Sequence, residues 1–365
     1  MKITKPTLLL DLQKCKNNIR RMVEKAKKNN LIFRPHFKTH QSIEIGKIFK
    51  EFGVEMITVS SVEMAQYFAD SGWNDITIAF PFNPLEINEI EDLDDKINLN
   101  ILVSSKDSAE KLIQITHKEL NYFIEIDTGY HRSGIEIENI SQIERTITLL
   151  KNQHNFKGFL THSGHTYQAN STDEILSIHQ DTIKKMSILK HKFKSDFPEL
   201  ITSIGDTPSC TLAKNFENID EIRPGNFAFF DLMQYNLGVC NLTDIAVCMA
   251  CPVVDINRER NEVVVYGGGI NFSKEFIIQN GKKIFGQVVK LNETDWQKLI
   301  ESSHLISLSQ EHGIIKASAE LISEISIGNV IGIIPVHSCM TSNLMSSYKT
   351  LDGQIFDHFS KSNNN

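Results

Sequence analysis

The sequence predicts an α/β protein, a (β/α)8 barrel of the TIM type followed by a mainly antiparallel β domain. Three observations predict it. Apolar, β-branched runs alternate with amphipathic helical patterns eight times before Cys240, and eight units are the number that closes a parallel barrel. After Cys240 the helical spacing gives way to short strands separated by turns, as in an antiparallel domain. An open doubly wound sheet is the alternative, and it is weakened because no GxGxxG turn follows the first barrel strand.

The eight units run in order along the chain. "LIFRP" precedes "SIEIGKIFKEFG", "MITVSS" precedes "VEMAQYFADSG", and "ITIAFP" precedes "PLEINEIEDL". "LNILVSS" leads to "KDSAEKLIQITHKEL", and "YFIEID" to "ENISQIERTITLLKNQ". "FKGFLTH" leads to "STDEILSIHQDTIKKMSILKHKF", "LITSIGD" to "SCTLAKNF", and "IDEIRPG" to "FAFFDLMQYNLG". Strands this apolar are buried on both faces, and the helices carry apolar residues at three- and four-residue spacing. The expected barrel spans 13–240 and the β domain 241–358, with the strand at 1–12 added to the β domain and a disordered tail at 359–365.

The bulk composition excludes several classes. A formal net charge of -7 over 365 residues gives no electrostatic reason for a nucleic-acid or anionic-membrane partner. No apolar stretch approaches the length of a membrane span, and "MKITKPTLLLDL" lacks a cleavage signal. Six scattered cysteines suit reduced thiols in a cytoplasmic protein. "CMAC" runs on into a strand with no second pair, so it reads as structural, and "YGGG" reads as a tight turn.

The chemistry-bearing residues gather at the C-terminal ends of the barrel strands, where such folds place their sites. "FRPHFKTHQ" follows the first strand and holds Arg34, His36, Lys38 and His40. A lysine there, partly desolvated and among cations, favours its neutral amine and can form a Schiff base with an aldehyde. "GDTPS" with Gly205, Thr207 and Ser209, and "RPGN" with Gly225 and Asn226, follow strands seven and eight. Loops in those places often bind phosphate. Taken alone, they also read as ordinary turns. Together with Lys38 they suggest pyridoxal phosphate, with Arg132 facing the pyridine nitrogen and His162 or Tyr167 against the ring or its hydroxyl. Near the C-terminal end, "PVHSC" sets His337 and Cys339 two residues apart. If that piece stays extended, both side chains share a face and offer two ligands for zinc.

"PHFKTH", "EIDTGYHRSG", "GDTPS", "EIRPGNFAFFD", "SQEHG" and "PVHSC" resemble, in order and spacing, the fold-type III pyridoxal-phosphate enzymes. Within these the chain is similar to the D-serine dehydratase and D-threonine aldolase group, distant relatives of alanine racemase, and the likeness covers nearly its whole length. The resemblance implies a barrel, a β domain and a homodimer. It implies Lys38 as the Schiff-base lysine, Arg132 near the pyridine ring, Tyr167 in the cofactor pocket, the two loops as the phosphate cradle, and His337 with Cys339 as the zinc pair. Cysteine at the second position is the dehydratase-like form. The implied activity is a lyase acting on a D-β-hydroxy amino acid, most simply D-serine to pyruvate and ammonia. D-threonine aldolase, an amino-acid racemase and a non-catalytic cofactor-binding protein are the alternatives. The chain departs from the family pattern at Val336, where asparagine is usual, and at "YGGGINFSKE".

Overall fold

In the computed structural model, residues 2–292 and 295–359 are described. They fall into two compact units, and the chain visits one of them three times. One is drawn from residues 21–38 and 49–225, the other from 2–20, 39–48 and 226–359. The expected tail begins at Phe359, and its remainder, 360–365, lies outside the described residues. No helix among the described residues is long and apolar enough to cross a membrane.

The chain opens with β1 (Thr7–Leu10) and α1 (Leu12–Lys28). The barrel units follow as β2 (Ile32–Phe33) with α2 (Ile43–Glu51), β3 (Ile57–Val59) with α3 (Val62–Asp70), and β4 (Asp75–Pro81) with α4 (Ile87–Asp94). Next come β5 (Asn98–Val103) with α5 (Lys106–Ile115), and β6 (Asn121–Asp127), a short β7 (Ile135–Glu136) and α6 (Ile140–Leu150). Then follow β8 (Asn155–Leu160) with α7 (Thr172–Phe193), β9 (Ile201–Ile204) with α8 (Thr207–Leu212), and β10 (Glu221–Ile222) with α9 (Leu232–Asn236). All eight expected strand–helix pairs are present. Their starts are written in polar residues: Ser61, Ser105, Ser171 and Asp206 sit extended and accept a backbone N–H from the first turn of α3, α5, α7 and α8.

The barrel strands run β2-β10-β9-β8-β6-β5-β4-β3, all parallel. The ring closes through a parallel bridge between His36 and Thr58, just beyond the two residues of β2. Thr58 N–H donates to Pro35 O at 2.9 Å across that seam. β5 and β6 are buried from their second residue onward, as strands covered on both faces must be. Charge runs through this unit: Arg34 Nε donates to Glu221 at 2.7 Å and Arg34 also pairs with Asp75. Ser203 Oγ donates to Glu221 at 2.6 Å, and Arg223 donates to Ser203 Oγ and Thr161 O, each at 2.6 Å. Such groups tolerate burial only because each has a partner.

The other unit holds β11 (Val247–Asn257), β12 (Glu262–Tyr266), α10 (Gly269–Phe272), β13 (Ile277–Gln279), β14 (Lys282–Ile284) and β15 (Gly286–Leu291). It continues with β16 (Trp296–Leu308), β17 (His312–Lys316), α11 (Ala319–Glu324), β18 (Val330–Pro335), α12 (Ser338–Leu344), β19 (Ser347–Thr350) and β20 (Ile355–Asp357). β12-β17-β16-β15-β18-β11 form an antiparallel ring, closed by β11 pairing with β12. β1 joins the same sheet between β11 and β19. The "YGGG" stretch is more than a tight turn. It leads from β12 into the four-residue α10, because a side chain at Gly268 would meet Gln310 O at 2.3 Å and only glycine admits that approach.

Candidate active site

Lys38 lies in a 3-10 turn, Phe37–Thr39, five residues past the end of β2. Its anchor is the preceding residue. Phe37 is fully buried, with its ring 4.9 to 5.0 Å from those of Phe49, Phe68 and Trp73. Edge-on contacts of this kind hold a ring beyond its area burial. Lys38 itself is exposed, which corrects the expectation of partial desolvation: the turn carries it past the strand end.

Lys38 N–H points at His36 Nδ1, 3.4 Å away. His36 is held neutral, its pKa driven well down by burial and then by Lys38, Arg223, His162 and Arg132. With Nδ1 as acceptor, its proton sits on Nε2. His162 is pushed down to about 3 by burial, Lys38, Arg132 and Arg223. Its Nδ1 faces Gly205 O, so Nδ1 carries the proton and Nε2 the lone pair. Tyr130 stands edge-on to His162 at 5.8 Å, and Tyr167 lies tilted to it at 6.5 Å. The guanidinium of Arg132 covers the Tyr130 ring at 5.2 Å. Thr207 N–H points at the Tyr167 hydroxyl, 3.3 Å away.

The structure therefore brings together Lys38, Arg132, His162, Tyr167, Gly205 and Thr207. The charged side chains depressing both imidazoles are all cationic, so an anion complements them, and a phosphate-bearing aldehyde fits both the charge and the lysine. A side chain at Gly205 would lie 2.9 Å from Arg223 Cβ, so the "GDTPS" turn keeps glycine because strand β10 crowds it. Gly225 is half-buried at the end of the "RPG" turn. Sequence reasoning missed Arg223, whose signal was its place immediately after β10.

Asp127 sets the "DTGYHRSG" loop. One of its oxygens accepts from Gly129, Tyr130 and His131 N–H at 2.8, 2.9 and 3.1 Å. Burial would raise its pKa, but these donors and His131 hold it below the usual carboxylate range. Gly164 completes the seat, since a Cβ there would stand 2.4 Å from the Tyr130 ring. Gly164→Ala should displace Tyr130, destabilise the protein by about 1–3 kcal/mol and weaken pyridoxal phosphate binding. Thermal melts and cofactor titration check this, and unchanged values in both would show that the ring gives way freely.

His337 and Cys339 do not lie on one extended face. β18 ends at Pro335, His337 caps α12, and Cys339 stands in the first turn of that helix. The backbone turns helical at Ser338, whose N–H is claimed by Asp231 at 3.0 Å. Asp231, 1% exposed, also faces His337 Nδ1 at 3.3 Å. Burial would lower the His337 pKa, but the hydrogen bond to Asp231 and then the nearby Cys339 raise it to about 9. The carboxylate accepts a hydrogen bond from Nδ1–H, so Nε2 is the nitrogen a metal could take on displacing its proton, as in carboxylate-oriented metal histidines. No group of three or more His, Cys, Asp or Glu suited to a metal exists among the described residues. The pair alone offers donor atoms of the N and S type that zinc takes. Asn226 lies in the loop expected to receive phosphate; its side chain donates to Asp231 at 2.7 Å and Ser338 Oγ at 2.9 Å, and approaches Cys339 Sγ at 3.5 Å. Its amide belongs to the His337–Cys339 group because Asp231 is the stronger acceptor. Asp231 was the main omission of the sequence reading.

Residues 10–232 match the family model described as alanine racemase, N-terminal domain, and residues 246–351 that of a putative serine dehydratase domain. The D-serine dehydratase of Dictyostelium discoideum is 30% identical, over 94% of this chain and 93% of its own. The D-threo-3-hydroxyaspartate dehydratase of Delftia sp. (strain HT23) is 26% identical, over 96% and 95%. The solved structure of that Delftia protein matches with a TM-score of 0.91 at 24% identity, covering 99% of both chains.

Proposed function

Since this chain belongs to the family that joins an alanine racemase-type N-terminal domain to a D-serine dehydratase domain, we propose that it is a pyridoxal-phosphate lyase removing water from a D-β-hydroxy amino acid. D-serine is the first candidate substrate, with pyruvate and ammonia as products. The observation that carries the reading is His337, oriented by Asp231, beside Cys339. A racemase has no use for a metal ligand there, whereas a Lewis acid would assist loss of a β-hydroxyl.

Pyridoxal phosphate, when bound, supplies an aldehyde for Lys38 and a ring that accepts the electron pair left at Cα. A divalent metal on His337 and Cys339 would supply Lewis acidity toward the β-hydroxyl. A solved cysteine-to-alanine variant of a D-threo-3-hydroxyaspartate dehydratase, 24% identical to this chain, is described in a metal-free form, which supports a metal in that relative and, by extension, in this chain.

The remaining work falls to side chains. Lys38 would hold the cofactor's aldehyde through its amine and, once that amine is free, would serve as the general base for the α-proton. Burial, with the charges of Lys38, Arg132 and Arg223, keeps His36 and His162 neutral, so neither imidazole offers a stray acid near neutral pH. The loops bearing Gly205, Thr207 and Gly225 receive the phosphate, and Tyr167 and His162 flank the ring. Loss of the α-proton and the hydroxyl leaves an enamine, which water converts to the 2-oxo acid and ammonia.

Product analysis of the purified, zinc-loaded protein against a panel of D-amino acids tests this. Pyruvate and ammonia should appear from D-serine and be suppressed by a chelator. Glycine and acetaldehyde from D-threonine, with no ammonia from D-serine, would replace dehydration by retro-aldol cleavage.

A further inference from the structure

Thr39, the residue after Lys38 in the chain, is fully buried. The thiol of Cys339 donates to its Oγ1 at 3.3 Å. That contact joins residues 300 positions apart and plays no part in the chemistry above. The segment beyond Thr39 is fastened on several sides. The Tyr348 hydroxyl donates to His40 O at 2.6 Å, Gln41 Nε2 donates to Asn343 Oδ1 at 3.1 Å, and Phe359 N–H donates to Gln41 O at 2.6 Å. Gln41 holds a left-handed backbone, φ 46°, a conformation a glutamine keeps only where its surroundings demand it. The Thr39 hydroxyl is therefore fixed in place while its hydrogen can still rotate.

Resting on the metal site proposed above, we propose that Thr39 is a positioning residue for the metal, its hydroxyl donating to the Cys339 sulfur once that sulfur binds as a thiolate. The thiol proton leaves when a metal binds, so the present donor becomes an acceptor and the hydroxyl hydrogen turns to meet it. The other protein group near the sulfur, Asn226 Nδ2 at 3.5 Å, has shorter contacts with Asp231 at 2.7 Å and Ser338 at 2.9 Å. An amide nitrogen has two hydrogens, and those contacts take both. Among the described side chains in contact with the sulfur, Thr39 is thus the one whose hydroxyl can turn to donate to the thiolate, and outer hydrogen bonds of this kind set the affinity and electronics of a metal–ligand bond.

The test measures zinc affinity by competition with a chromophoric chelator and the sulfur-to-metal charge-transfer band of the cobalt(II)-loaded full chain. Thr39→Val should bind zinc about 10-fold more weakly than wild type and shift the cobalt band, whereas Thr39→Ser, which keeps the donor, should match wild type in both. Should valine fit poorly, judged by circular dichroism, Thr39→Ala removes the same hydroxyl and should show the same loss. Wild-type affinity and an unshifted band in a folded donor-less variant would overturn the role of Thr39 and leave the metal site standing. The same holds if serine fails as badly as valine. A wild-type protein that takes up neither zinc nor cobalt at this cysteine would overturn the metal site and the inference together.

Discussion

Lys38→Ala is expected to lower D-serine turnover by at least about 10^4-fold, equivalent to about 5 kcal/mol of transition-state stabilisation, while leaving the melting temperature within about a degree or two of wild type, since exposed positions remote from packing carry little stability. The structure separates the two effects. Phe37, not Lys38, holds the turn in the core through its contacts with Phe49, Phe68 and Trp73, and Lys38 is exposed. The variant should lose the covalent attachment of pyridoxal phosphate, read as borohydride-resistant release of the cofactor on denaturation. A small primary amine added in solution should restore part of the lost rate. Full activity of the alanine variant would remove Lys38 from the chemistry, and a collapsed melting temperature would mean that the loss reports folding instead.

Asp231→Asn is expected to weaken zinc binding by about 10- to 100-fold and to reduce dehydration in step. The carboxylate serves five hydrogen-bonding groups in one buried place: His337 Nδ1, the Ser338 N–H and hydroxyl, the Asn226 amide and the Gln234 N–H. Asparagine preserves the cap on α9, because its oxygen can still accept from Gln234. It removes the negative charge that fixes the His337 proton on Nδ1. It also offers an amide where Asn226 already presents one, so two donors face each other in a buried site, at a cost of about 1–3 kcal/mol. Zinc titration by calorimetry, with a thermal melt on the same sample, measures both parts. Unchanged zinc affinity would show that His337 needs no carboxylate to act as a ligand.

The barrel was legible because its information is local. A strand buried on both faces announces itself by composition, a helix by its period, and Ser61, Ser105 and Ser171 mark helix starts in the sequence itself. That Lys38, His162, Tyr167 and the "GDTPS" loop lie close together was legible by position, since they follow strands of one parallel barrel. What escaped reading depends on partners far along the chain. Asp231 sits in "FAFFD" like an ordinary helix cap, and its role appears only when His337, 106 residues later, is placed beside it. Arg223 looked like the polar start of a turn, although it is buried and hydrogen-bonded to Ser203 and Thr161. His337 and Cys339 were singled out from the sequence, but their geometry was not legible: seven residues of helix, Ser338–Leu344, carry too little periodicity to declare themselves after an apolar strand.

β1 has a consequence for how the molecule must be made. Its four residues pair with β11 through Ala250 to Val247 and with β19 at Lys349 and Thr350, so the strand finds its neighbours only after more than two hundred further residues have been synthesised. Loop closure over that span is slow. A fragment beginning at Asn241 would meanwhile present the flanks of β11 and β19 as open edges, ready to pair with another molecule. Dissection of this protein at the apparent boundary near Cys240 should therefore yield an aggregating piece, whereas co-expression with a segment carrying residues 2–20 supplies the missing strand.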